Sequence, residues 1–167
     1  MKKVILILIA AFLCPLLANA QSKQISDIFD KYEKKKYVES IVVTPSLLSF
    51  MNDLENKEKK ELLAKIKEIR IMTVPTGVLV TKNTENDAQL SAIIRDELEK
   101  HMKAEKYFRV VKVNDGEEML EVYISENEKG VLLFLASSKE EFTVISIFGN
   151  IDKTILKSVM DGTLKLR

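Results

Sequence analysis

The sequence predicts an α+β fold: an antiparallel meander of four C-terminal strands plus one or two N-terminal strands, packed with about four to five helices. Three observations carry this. Two apolar runs, Val131 to Ser138 and Glu141 to Phe148, are rich in β-branched and aromatic residues and flank the charged turn Lys139-Glu140, the pattern of a β-hairpin. From Tyr107 onward the chain alternates with period two between short turns, so successive strands are antiparallel neighbours. Upstream, apolar residues recur at helical spacing, so helices and strands are partly segregated and do not alternate regularly.

The hairpin is the expected centre of the sheet. Leu133, Leu135, Val144 and Phe148 form one alternating set, and Leu132, Phe134, Ile145 and Ile147 the other. Neither set is polar, so both faces favour leaving water. Helices on both sides would satisfy this. Incomplete cover around Val131, Leu133 and Leu135, or around the alternate set, would instead mark a dimer interface, a partner site or a lipid-binding surface.

In order along the chain, Gln24 to Tyr37 predicts the first helix, with Ile25, Ile28, Phe29 and Tyr32 on one stripe and Ser22 available as a cap. Lys34-Lys35-Lys36 suits its C-terminal turn. Val38 to Val43 predicts a strand, and Thr44-Pro45 opens a short helix with Leu47, Leu48, Met51 and Leu54 inward. The charged stretch Asn56 to Glu61 leads into another helix carrying Leu62, Leu63, Ile66 and Ile69. Arg70 to Val74 is a short strand, and Pro75 points to an edge position or a bend before the extended Val78 to Val80.

Lys82 to Asp87 reads as a loop, with Asn86 or Asp87 capping the longest helix, which runs to about Ala104. Its stripe is Leu90, Ile93, Ile94, Leu98 and Met102; Arg95, Glu99 and Lys103 form an i, i+4 ladder on the opposite face. The meander follows as Tyr107 to Val113, the turn Asn114-Asp115-Gly116, Met119 to Ser125, the turn Glu126 to Gly130, and the hairpin. In its second strand Leu120, Val122 and Ile124 share one face and Glu121, Tyr123 and Ser125 the other, so this strand is expected half exposed. Gly149-Asn150 closes the last strand. Asn150 or Asp152 caps a final helix with Ile155, Leu156, Val159 and Met160 inward, and Asp161-Gly162 stops it.

Met1-Lys2-Lys3, the apolar Val4 to Leu17 and Ala18-Asn19-Ala20 together form the three-part pattern of a secretory signal peptide. Residues 1–20 are therefore expected to be removed from the 167, leaving a single domain over 21–167. The apolar run is short for a membrane span, and nothing later in the chain resembles one. The only cysteine, Cys14, lies in this leader. Leu13 before it and Pro15 after it fit a lipoprotein anchor poorly, so a periplasmic location is favoured over anchoring through Cys14. The processed chain then has no thiol and no disulfide. Losing Lys2 and Lys3 takes the formal charge from +1 to −1, which leaves no footprint for nucleic acid.

The search for chemistry assigns no catalytic, cofactor-binding or metal-binding residue. The single histidine, His101, sits at the border of the long helix's stripe; one histidine without cysteine does not build an ordinary zinc site, and no serine lies in a Gly-x-Ser-x-Gly elbow. Asp115, Glu117, Glu118 and Glu121 cluster at a turn without calcium-loop spacing, so a solvated turn is expected. There is no Trp, and Phe29, Phe50, Phe134, Phe142 and Phe148 fall at core periodicity. The five glycines are scattered singly and form no phosphate cradle. Met51, Met72, Met102, Met119 and Met160 read as core filler.

The span Tyr107 to Ile155, with Arg109 to Val113, Asn114-Asp115-Gly116, Glu121 to Ile124 and Ile147-Phe148-Gly149-Asn150-Ile151-Asp152, resembles domain-of-unknown-function family 4252, small exported proteins of Bacteroidetes. The first helix ending near Tyr32 and the strand–Thr-Pro–helix of Val42 to Leu48 fit the same family. The resemblance implies an α+β fold in the periplasm or outer envelope, and supplies no activity or site residues. The expectation is an exported envelope protein acting without catalysis, by binding an envelope partner or a second copy of itself. The rivals are a carrier of an apolar ligand or lipid, and a small periplasmic hydrolase whose acidic residues converge only on folding.

Overall fold

The computed structural model describes residues 20–44, 46–47, 61, 63–82, 86–125, 130–153, 155 and 157. Its elements are α1 (Ala20–Tyr32), β1 (Glu39–Val43), β2 (Ile66–Pro75), β3 (Leu79–Lys82), β4 (Asn86–Gln89), α2 (Leu90–Ala104), β5 (Tyr107–Asp115), β6 (Glu118–Ser125), β7 (Val131–Ser137) and β8 (Glu141–Gly149). Six strands form one sheet in the order β1-β2-β8-β7-β6-β5, and β3 pairs with β4 separately. Every pairing is antiparallel.

The predicted hairpin is β7–β8, and it occupies the middle of the sheet. Its two alternating sets part as expected. Leu133, Leu135, Phe142 and Val144 join Met72 and Val74 of β2 on the face covered by α1 and α2, where they meet Ile25, Phe29, Ile94 and Leu98. Leu132, Phe134 and Ile147 face the other way, with Ile66, Ile69, Val122 and Ile155. Residues 132–135 are all 6 % exposed or less, so both faces of the hairpin are covered and the alternative of an exposed patch there is overturned. Two apolar layers back to back against one sheet exclude water from both faces of its central strands.

The meander and both N-terminal strands fall where the pattern placed them; several other expectations do not hold. The helix expected through Ile66 and Ile69 is strand from Ile66 onward. A bulge between Ile66 and Glu68 puts residues three apart on one face, and this mimics helical spacing. The strand expected at Arg70 to Val74 is thus longer, and it lies inside the sheet, with Pro75 as its last residue. Val78 to Val80 leads into the hairpin β3–β4, which takes Asn86 and Asp87 into a strand. Neither caps α2: its N-cap is Gln89, without a side-chain bond, and the Leu90 N–H donates to the Val78 carbonyl at 2.9 Å.

α1 ends at Tyr32, so Lys34 to Lys36 lie in the following turn, which closes at Tyr37 with φ of 70°. Leu47, expected inward, is exposed. Asp152 does cap the final turn, its Oδ1 accepting from the Ile155 N–H at 3.1 Å. α1 and α2 are the two long helices among the described residues; the others expected fall largely on residues 48–60 and 156–162, outside them.

Candidate functional site

On the helix-covered face, β6 places Glu121 opposite Leu135 of β7. Because α2 roofs this face, the carboxylate is 5 % exposed, where a solvated turn was expected. Its charge is met by two arginines: Arg109 Nη1 of β5 donates to Oε1 at 2.6 Å, and Arg95 Nη1 of α2 lies 3.7 Å from Oε2. Arg95 also donates to the Ser137 hydroxyl, stacks its guanidinium 4.7 Å from the Phe142 ring centroid, and lies 3.8 Å from Glu99. The i, i+4 pairing with Glu99 was legible; the inward turn of Arg95 was not. Burying a carboxylate is costly unless it is paired and hydrogen-bonded in this way. Burial and the neighbouring Glu121 charge also hold the Tyr123 hydroxyl above its ordinary range.

A second polar cluster lies where α1 packs on α2. The buried stripes of the two helices are flanked by Asp27 and Lys31 on α1 and Glu97 and His101 on α2, and with Ile28 these line a cleft of about 340 Å³. Lys31 Nζ donates to both Glu97 oxygens, at 2.9 and 2.6 Å, and the Tyr32 hydroxyl donates to Oε2 at 2.6 Å. Partial burial alone would raise the Glu97 carboxyl, but these donors outweigh it and hold it below the usual carboxylate range. Lys31 is raised in turn, first by its bond to Glu97. Burial lowers His101 below its ordinary value, against an opposing pull from Glu105. Its Nε2 is buried without a partner, and its ring lies 6.2 Å from that of Tyr107. Glu97 is thus a fixed anion, not a poised acid. Among the described residues, no group of three His, Cys, Asp or Glu side chains is placed to hold a metal.

The third feature is apolar. On the sheet's second face the outer strands carry exposed Phe108, Val113 and Leu120, with partly buried Val111 and Ile124 between them. Val113 lies directly opposite Leu120, and Phe108 opposite Ile124. The bulge between Arg109 and Val111 leaves Val110 exposed at the same edge. The sequence pattern puts Leu120, Val122 and Ile124 on one face of a half-exposed strand but does not say which face is covered, so it gives no sign of this surface.

A protein-family model described as "Domain of unknown function (DUF4252)" matches residues 32–159. The chain belongs to this family. No curated protein and no solved structure matches it. The DUF4252 span takes in every strand of the sheet, the Glu121 cluster and the apolar outer surface. It begins after Asp27 and Lys31, so one wall of the cleft precedes it. Among the described residues of this DUF4252 chain, no helix is long and apolar enough to cross a membrane.

Proposed function

We propose that this DUF4252 chain is exported to the periplasm and works there as a non-enzymatic interaction module, binding a protein partner across the second face of β5 and β6. The observation that carries this is the contiguous exposure of Phe108, Val113 and Leu120 on two paired strands. Large apolar side chains that lie next to one another in water favour an apolar partner face. The test is a photo-crosslinking residue in place of Phe108 or Leu120 in cells that export the chain. We expect a discrete cross-linked protein that disappears with Val113→Lys. Cross-linking no different from that at Lys100, on the exposed flank of α2, would overturn the proposal.

A small hydrolase is the second reading, favoured by the placement of Asp27 and His101 on one cleft, with Glu97 as a fixed charge between them and not as a proton donor. Any hydrolysis by the purified chain that is lost in both Asp27→Asn and His101→Gln would support it. A carrier of an apolar ligand or lipid has less support, since four of the five residues lining the cleft are ionisable.

A further inference from the structure

The two edges of the sheet are defended unequally. β5 carries the devices that discourage strand addition: a bulge at Arg109/Val111, and the cations Arg109 and Lys112. Aligning β5 with the β5 of a second copy in the register that stacks Phe108 on Val113 would set Arg109 against Lys112 twice. At the other edge, β1 is Glu39-Ser40-Ile41-Val42-Val43, with no proline, no cation and an unbroken register to β2. Its shortness and the single charge of Glu39 at one end are its defences. Ile41 is 57 % exposed and Val42 is exposed on the opposite face. No described strand pairs with the outer side of β1.

We propose that β1 is a homodimer interface, formed by antiparallel pairing of β1 with β1 of a second copy about Ile41. This goes beyond the partner surface on β5 and β6 and uses a separate part of the sheet. Full overlap of the five residues places Ile41 beside its symmetry mate, Ser40 opposite Val42, and Glu39 opposite Val43, so no like charges meet. The two-fold axis runs perpendicular to the sheet, which keeps the helix-covered faces of both copies on one side and joins two six-stranded sheets into one. Such a contact is self-complementary and closes after two copies. The basic turns at Lys34 to Lys36 lie beyond opposite ends of the paired strands, farther apart than a Debye length of about 8 Å. A second copy therefore fits this edge without an electrostatic penalty, whereas β5 rejects it.

The experiment is oxidative cross-linking of the purified chain, with light scattering across a dilution series. Opposed residues of an antiparallel pair stand at Cα separations compatible with a disulfide. We expect Ile41→Cys to form a covalent dimer and Val113→Cys to remain monomeric on the gel. We also expect the otherwise unaltered chain to scatter as a dimer, and Ile41→Lys to weaken association about tenfold or more. Val42→Lys, on the other face of the strand, provides a second disrupting variant if Ile41→Lys folds poorly. A monomer at every concentration, or cross-linking at position 113 equal to that at 41, would overturn the proposal. Neither result bears on the Val113→Lys test of the β5–β6 surface.

Discussion

The two faces of β6 invert the ordinary rule of polar outside and apolar inside. Glu121, on one face, is 5 % exposed; Leu120, its chain neighbour on the other, is 36 % exposed. What decides the matter is the cover. α2 lies over the first face and brings Arg95 with it, so the carboxylate is enclosed together with its counter-ions. On the second face the buried layer centres on Leu132, Phe134 and Ile147 and thins toward β5, where Val113 and Leu120 are left bare. Alternation assigns residues to faces, but it does not say which face is roofed.

At the centre of the sheet the two faces should respond alike. Gly149→Ala is expected to have the largest effect, because a Cβ there would run into the Lys65 carbonyl oxygen and Ile66 Cα; we expect a loss of about 3 kcal/mol or more in denaturant unfolding. Leu133→Ala and Leu132→Ala delete fully buried side chains on opposite faces of β7 and should each cost about 3 kcal/mol. A much smaller loss for Leu132→Ala would mean that the second face is poorly packed even at its middle.

Arg95→Ala isolates the contribution of the roof. It removes the ion pair to Glu121, the bond to Ser137 and the stacking on Phe142, and should cost about 1–2 kcal/mol by thermal unfolding. Arg95→Lys keeps the charge without the planar fork and should recover only part of that.

Acid should act on the roofed face in two steps of smaller size. His101 is held below its ordinary value of 6.5, so the unfolded chain takes up its proton first and stability falls as pH drops from 6.5 toward the folded value. The charges around it are Asp27, Lys31, Glu97 and Glu105, and the Tyr107 ring packs against it. Glu97 is held below 4.5, so its contribution is present above that pH and is lost as pH falls through its lower folded value. Stability measured against pH in His101→Gln should lose the first slope and keep the second. An unchanged profile would remove the buried imidazole from this account.

Much of the sheet was legible. The two-faced hairpin announced its central place, and Asn114-Asp115-Gly116 announced a turn in which Gly116 takes φ of 62°. The illegible parts share a physical cause. At Ile66 and Ile69 a bulge reproduced helical spacing, and at Asn86 and Asp87 good capping residues were drawn into pairing with β3. Glu121 looked solvated because its turn is acidic, yet the residue opposite it, Leu135, belongs to a strand buried on both faces, and that was the available signal. The cleft joins residues some seventy positions apart on two helices whose packing no local pattern encodes.

The central claim is that cover, not polarity, sets the inside of β6, and one side-by-side measurement tests it most directly. Denaturant unfolding of Glu121→Ala and Leu120→Lys should show the charged residue to be the stabilising one. We expect a loss of about 2 kcal/mol for Glu121→Ala, which deletes the buried carboxylate that joins Arg95 to Arg109, and a change within about 0.5 kcal/mol for Leu120→Lys. The reverse order, a costly Leu120→Lys beside a neutral Glu121→Ala, would contradict the account.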